Sequence, residues 1–475
     1  MPPKCPKGTR RNKKSGNCEP KVSKPEPKKC PKTQSKKGCE SKPKRCPNGT
    51  RRNKKSGNCE PKSAPKSIQK KASTKSVPNS QKKASTNSEQ LLKDCVSKSG
   101  ECMIFGRATK QLKQFFEFSN FKYATHLSRI GSGSNGVVLE IMYARDNIKA
   151  YGVLKTANPN SYISDNLYYE YLVGKTFINY WNTRVPCFLE TYGCYLSDER
   201  HKTFNLSKLA ALKEFHLFSS TFSAVKLACK FERLIYLLIQ HIHQAKTLSD
   251  FMFETVNMTK PYYILSSIYY QIYAPLAYLA REFTHYDLHD NNILIYSLPK
   301  NTYIEIIYVY STTNQISICT EHICKIIDYG RAYVNSNLFK ELSNELCKEI
   351  DCKPNCGFEK GFFLKPVRGI MADHYIFPNK NNISHDIYSM VKFINAFYPK
   401  YMELFVFHDV KRSGTPSLET KQDNKIRNVM DVKQFIELVM QANPTANERF
   451  IQNRKKYGTL HVFLDGSERE MKYSP

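Results

Sequence analysis

From residue 121 onward, short apolar stretches alternate with polar breaks, and the period of each stretch predicts strand or helix. Thr125-His126-Leu127-Ser128-Arg129-Ile130 and Val137-Val138-Leu139-Glu140-Ile141 read as two strands, joined by Gly131-Ser132-Gly133-Ser134-Asn135-Gly136. Tyr151-Gly152-Val153-Leu154-Lys155 predicts a third short strand, and Leu167-Tyr168-Tyr169-Glu170-Tyr171-Leu172 a helix. Residues 234–242 read as a buried strand running into a loop. Residues 262–280 approach the length and apolarity of a membrane span. They carry Ser266, Ser267 and Gln271 and contain Pro275, so a buried core helix fits them better. No other segment approaches a span, and no secretory leader is expected ahead of so basic a start.

Candidate chemistry lies between two apolar flanks, in His285-Tyr286-Asp287-Leu288-His289-Asp290-Asn291-Asn292-Ile293-Leu294. An Asp and an Asn five positions apart can bring two oxygen-bearing side chains into one cleft. Phosphoryl transfer needs that pair, Asp287 to accept or orient a hydroxyl proton and Asn292 to hold a magnesium ion. Three further pieces stand in chain order around it: the glycine loop, Val153-Leu154-Lys155, and Ile326-Ile327-Asp328-Tyr329-Gly330. Glycines 131, 133 and 136 let a turn lie flat over a triphosphate, where side chains would block the approach of backbone N–H groups. A dinucleotide-binding loop with the same glycines would open a helix; here a second strand follows.

In this order the four pieces resemble the protein kinase superfamily over residues 121–398. The resemblance implies an α+β, two-lobed protein kinase fold, with a small β-rich N-lobe, a larger helical C-lobe, and ATP with Mg2+ as cofactors. It implies that Ile130, Gly131, Ser132, Gly133, Ser134, Asn135, Gly136, Val137 and Val138 cover the nucleotide. Lys155 would reach the α- and β-phosphates and Glu170 would orient it, with Asp165 as the alternative carboxylate. Ile239 would sit behind the adenine, with Gln240 and Ile242 offering backbone groups. Asp287 would be catalytic, and Asn292 and Asp328 would hold the metal. Asp386, in Ser384-His385-Asp386-Ile387-Tyr388-Ser389-Met390, would hold the Asp287 loop backbone from below; a helix N-cap describes it equally.

Several positions depart from the family pattern. Tyr286 stands where regulated kinases have Arg, which removes the usual partner of an activating phosphate. Tyr329 replaces Phe, and Val153 replaces a small Ala. His289 follows Asp287 by two positions, a spacing that recurs in kinase-like enzymes acting on small molecules. No A-P-E is evident between Asp328 and Asp386, a stretch containing Cys347, Cys352 and Cys356. Insertions are expected near residues 197–231 and between the Asp287 loop and Asp328.

The first ninety residues are different material. Cys5 to Lys21 recurs almost unchanged from Cys46 to Lys62, and a degenerate copy between them runs from Cys30 to Glu40. Gln-Lys-Lys-Ala-Ser-Thr begins at Gln69 and again at Gln81. The segment has no aromatic residue and 27 Lys and Arg against 5 acids, a net charge of +22, while the rest of the chain carries +9. Such a tail cannot bury enough apolar surface to offset its ordering entropy, so it is expected to be disordered. Its charge favours polyanions held by counterion release, nucleic acid or acidic lipid, without sequence reading; a plain solubilising or targeting tail fits the same composition. The six tail cysteines are too widely spaced for paired zinc ligands. Ten more are scattered through the remaining chain, the usage of a reducing intracellular compartment. The repeat and the His-Tyr-Asp-Leu-His loop together resemble kinase-like proteins of large cytoplasmic DNA viruses, of the invertebrate iridescent virus type.

The expected organisation is therefore a basic tail (1–90), a linker (91–120), a kinase-like domain (121–400) and a C-terminal part or extension (401–475). The expected reaction is transfer of the ATP γ-phosphoryl group to Ser or Thr hydroxyls of a protein substrate. A same-fold phosphotransferase acting on a small hydroxyl compound, or a catalytically silent scaffold with a polyanion-binding tail, are the alternatives.

Overall fold

The chain divides into two units, residues 1–77 and 78–475. The computed structural model describes residues 9–11, 18–20, 50–52 and 59–61 of the first. Of the second it describes 105–106, 109–132, 136–157, 167–198, 205–215, 234–255, 261–348, 381–387, 390 and 426–474. In the first unit, β1 (Thr9–Arg11) pairs antiparallel with β2 (Cys18–Pro20), and β3 (Thr50–Arg52) with β4 (Cys59–Pro61), in the same register. In each repeat, Thr-Arg-Arg returns against Cys-Glu-Pro in the backbone pairing.

The second unit mixes α and β structure. After helix α1 (Thr109–Phe116) come β5 (Ala124–Ser132), β6 (Gly136–Arg145), β7 (Ile148–Ala157), helix α2 (Leu167–Val173), β8 (Thr191–Leu196), β9 (Lys213–Glu214) and β10 (Ile235–Gln240). These strands form one antiparallel sheet in the order β5-β6-β7-β10-β8-β9. Its register places Val138 opposite Lys155, and Lys155 opposite Leu237 on the other side. The glycine-rich segment therefore adjoins the lysine strand because alternation on β6 and β7 fixes their pairing. Helix α2 buries Leu167, Tyr168, Tyr169 and Tyr171. Tyr169 also donates its hydroxyl to the Ala332 carbonyl at 2.9 Å, which anchors the helix to the segment after Asp328.

Further elements follow: β11 (Lys246–Thr247), α3 (Leu248–Thr255), α4 (Pro261–Tyr278), β12 (Phe283–Thr284), β13 (Ile293–Ser297), β14 (Thr302–Val309), β15 (Gln315–Thr320), β16 (His322–Ile326), β17 (Tyr333–Val334), α5 (Asn337–Lys348), α6 (Val429–Gln441), α7 (Thr445–Ile451), β18 (Lys455–Phe463) and β19 (Lys472–Ser474). Helix α4 is the core helix expected from residues 262–280. Ile268, Tyr269, Tyr270, Ile272, Tyr273 and Ala274 are fully buried on it. Its buried Gln271 donates to the His322 carbonyl at 2.9 Å and accepts from the Cys324 N–H at 3.2 Å, so burial leaves this amide paired. Among the described residues, no helix is long and apolar enough to cross a membrane.

The insertion before Asp328 folds as the hairpin β14–β15. Strand β18 from the C-terminal extension adds to it in parallel, giving a four-stranded sheet in the order β15-β14-β18-β19. Helix α6 packs on α4, where Tyr270 donates to Glu437 at 2.7 Å. The C-terminal residues thus belong to the same folded unit as the Asp287 loop.

Candidate active site

Strand β13 pairs with β16, Ile293 opposite Ile326, and this register brings the loop before β13 against the loop after β16. The Ile327 N–H donates to the Asn292 carbonyl at 3.0 Å and closes the junction. Asp287, Asn292 and Asp328 therefore share one cleft because two short apolar strands are in register.

Lys155 reaches the same place from β7. Its Nζ donates to both oxygens of Glu170, at 3.0 and 2.7 Å, and to Oδ1 of Asp328 at 3.2 Å. The Glu170 side chain is 2% exposed and that of Lys155 12%, so α2 delivers a carboxylate into a nearly dry site where the lysine charge compensates it. Asp165, the alternative carboxylate, lies outside the described residues.

The Asp287 loop is held by its own backbone and by three side chains. The Asn292 amide donates to the Asp287 carbonyl at 2.9 Å, and the His289 N–H donates to the same oxygen at 2.9 Å. His285 is fully buried. Its Nδ1 accepts from the Asp287 N–H at 3.2 Å, so its Nε2 carries the proton given to the Ile327 carbonyl at 3.0 Å. Burial lowers this imidazole below its ordinary value despite the nearby carboxylates of Asp386 and Asp328, which keeps the single tautomer. Asp386 accepts the backbone N–H groups of His285 and Tyr286.

Two residues here adopt the left-handed backbone region without being glycine: Tyr286 at φ 61° and Asp328 at φ 69°. Such conformations persist only where the surroundings over-determine them, and they cluster at functional sites. Tyr329, beside Asp328, is buried; its hydroxyl donates to the Ile326 carbonyl at 2.5 Å and accepts from the Leu189 N–H at 3.3 Å. The aromatic body fills an apolar slot and the extra oxygen is paired, which explains why Tyr is accommodated there.

Electrostatics separates the two aspartates. Burial first, then the Asp328 carboxylate, push the Asp287 carboxyl up to about 8, against the pull of Arg331, Asn292 and Lys155. Enclosure also raises Asp328, but Lys155, His285 and Arg331 outweigh it and hold that carboxyl below the ordinary Asp value. The two carboxyls are thereby split: Asp287 holds its proton up to about 8, while Asp328 is the anion.

The remaining predicted residues are placed as follows. Ile130 is exposed on β5, Gly131 pairs opposite Val138 and Ser132 opposite Val137, and Gly136 begins β6. Gly133, Ser134 and Asn135 lie outside the described residues. Gln240 ends β10 with its N–H committed to the Glu190 carbonyl at 2.8 Å and its side chain accepting from the Glu190 N–H at 3.0 Å, so its amide is not available to a ligand. Ile242 is buried, and its carbonyl accepts from Ala245 at 3.2 Å. Sequence reasoning missed His285 as a backbone clamp and Arg331 as the local cation. Both stand within three residues of a recognised aspartate, which is the signal that was there to use. It also missed a cluster of Glu140, His241 and His243 beside β10. Neither a scan against protein-family models nor a search of curated proteins returns a match for this chain.

Proposed function

We propose that this chain is an ATP- and Mg2+-dependent phosphotransferase of the two-lobed protein kinase type, acting on Ser or Thr hydroxyls of a protein substrate. The observation that carries this reading is the position of the Lys155 ammonium, bonded at once to Glu170 and Asp328 within the cleft of Asp287 and Asn292. Glu170 is buried and fixes the lysine; Lys155 then offers a positioned cation to the α- and β-phosphates. Asp328 and Asn292 present carboxylate and amide oxygens, the hard donors Mg2+ takes, so the residues present fit the metal. When bound, Mg2+ neutralises charge on the β- and γ-phosphate oxygens. Asp287 orients the attacking hydroxyl and, in its ionised form, accepts the proton as transfer proceeds.

The rest of the reading follows the sequence. The 1–90 tail would hold nucleic acid or another polyanion through its +22 charge. An intracellular setting agrees with Cys187, Cys194, Cys319 and Cys324 being buried free thiols. The test is single-turnover transfer from γ-labelled ATP in the presence of Mg2+, with basic and acidic proteins, small alcohols and sugars offered together. Label on protein supports the proposal. Label on a small hydroxyl compound moves the assignment to that substrate class, and no label in any pool overturns the enzymatic reading in favour of a silent scaffold.

A further inference from the structure

We propose that Glu140, His241 and His243 form a binding site for a transition-metal dication of the zinc class, separate from the cleft of Asp287 and Asp328. Glu140 comes from β6, and the two histidines from the segment that follows β10, with β7 lying between those strands. Nε2 of His241 stands 2.8 Å and Nδ1 of His243 3.1 Å from one oxygen, Oε2 of Glu140. The three donor atoms lie within 4.8 Å of one another. Ligand atoms around a tetrahedral zinc ion stand about 3.3 Å apart, so small side-chain rotations open this cluster to the required size.

Local structure favours the arrangement. Ile242, between the histidines, is buried, while the imidazoles on either side of it both meet the Glu140 carboxylate. Tyr151 stacks on the His243 ring at 4.0 Å and 3°, which fixes its plane. The His243 side chain is 42% exposed against 14% for His241 and 16% for Glu140, so an ion reaches the site from solvent while two ligands are held below. Two imidazole nitrogens and one carboxylate oxygen are a zinc donor set. Without metal, both rings donate N–H to the carboxylate. Binding moves those protons to the other ring nitrogens, Nδ1 of His241 and Nε2 of His243, freeing both lone pairs with no net proton change. A bound ion would staple β6 to the segment after β10 across β7, stiffening the strand that begins at Gly136.

The experiment uses the full chain, stripped with a chelator and titrated with Zn2+ against a chromophoric competitor, and separately with Co2+. The sixteen cysteines can bind metal too, so wild type is compared with Glu140→Gln, His243→Ala and His243→Asn, each checked for a native circular dichroism spectrum and melt. The expected result is one equivalent lost, or weakened at least about tenfold, in every variant. The matching Co2+ equivalent should show ligand-field bands without thiolate charge transfer, and Zn2+ should raise the wild-type Tm more than that of any variant. Equal stoichiometry and affinity in wild type and all three variants overturns the site, whatever the outcome of the phosphoryl-transfer assay.

Discussion

Asp386 holds the backbone of Tyr286 across a hundred residues of chain: its Oδ1 accepts the Tyr286 N–H at 2.9 Å, while Oδ2 accepts that of His285 at 2.5 Å. Tyr286 is the residue at φ 61°, so the carboxylate pins the strained turn that aims Asp287. Asp386→Ala leaves two buried N–H groups without their acceptor and should cost about 2–4 kcal/mol. Denaturant unfolding checks the stability. Phosphoryl transfer should fall further than ATP affinity, because the lost contact orients Asp287 rather than the nucleotide. Asp386→Asn, which keeps one acceptor oxygen, should recover part of both.

Asp287→Asn should abolish most phosphoryl transfer while leaving ATP binding nearly intact, since shape is kept and only the proton acceptor is lost. The same substitution should stabilise the fold. A carboxyl raised to about 8 stays protonated in the folded protein between its unfolded value, near 4, and 8, so the folded state binds the extra proton there and wild-type stability falls as pH rises through that window. Half of that rise is worth about 3 kcal/mol. Melts of wild type and Asp287→Asn should therefore diverge from pH 5 to pH 8.5, with the variant ahead at the alkaline end.

Glu170→Gln removes the buried counter-charge of Lys155 and keeps the Asp328 contact. Losing one partner of a buried pair costs about 3–5 kcal/mol. Lys155→Met should cost a similar amount and, in addition, weaken ATP binding. A fluorescent nucleotide titration separates the two: affinity should fall about tenfold or more for Lys155→Met and less for Glu170→Gln.

Lys325 is 1% exposed and donates to the Phe188 carbonyl at 3.0 Å. Burial lowers this amine to about 7, whereas the unfolded chain keeps the proton to about 10.5. Between those values the unfolded state binds more protons, so this group makes stability rise with pH. Lys325→Met should stabilise the protein most below pH 7, by about 2 kcal/mol if half the fall is realised, and the gain should shrink toward pH 10. Paired melts across that range decide it.

Deleting residues 1–90 should leave ATP binding unchanged and remove most affinity for duplex DNA, because those residues carry +22 of the +31 net charge. Filter binding across a salt series should show a steep slope for the full chain and a shallow one for the truncated chain. Equal slopes would place the polyanion site elsewhere.

What the sequence by itself determined was local: the strand alternation on either side of the glycine loop, the core character of helix α4, and the chain order of Lys155, Asp287, Asn292 and Asp328. Backbone periodicity of 2.0 and 3.6 residues imposes these, and a short window contains all the information needed. Local pattern did not carry the pairing of Lys155 with Glu170, which the family resemblance implied; the contact of Lys155 with Asp328, far along the chain, came only from the register of β13 with β16. The parallel docking of β18 on β14 and the meeting of Glu140 with His241 and His243 were invisible in the sequence. Each depends on which distant segments share one core, and that is settled by burying apolar faces together rather than by any local pattern.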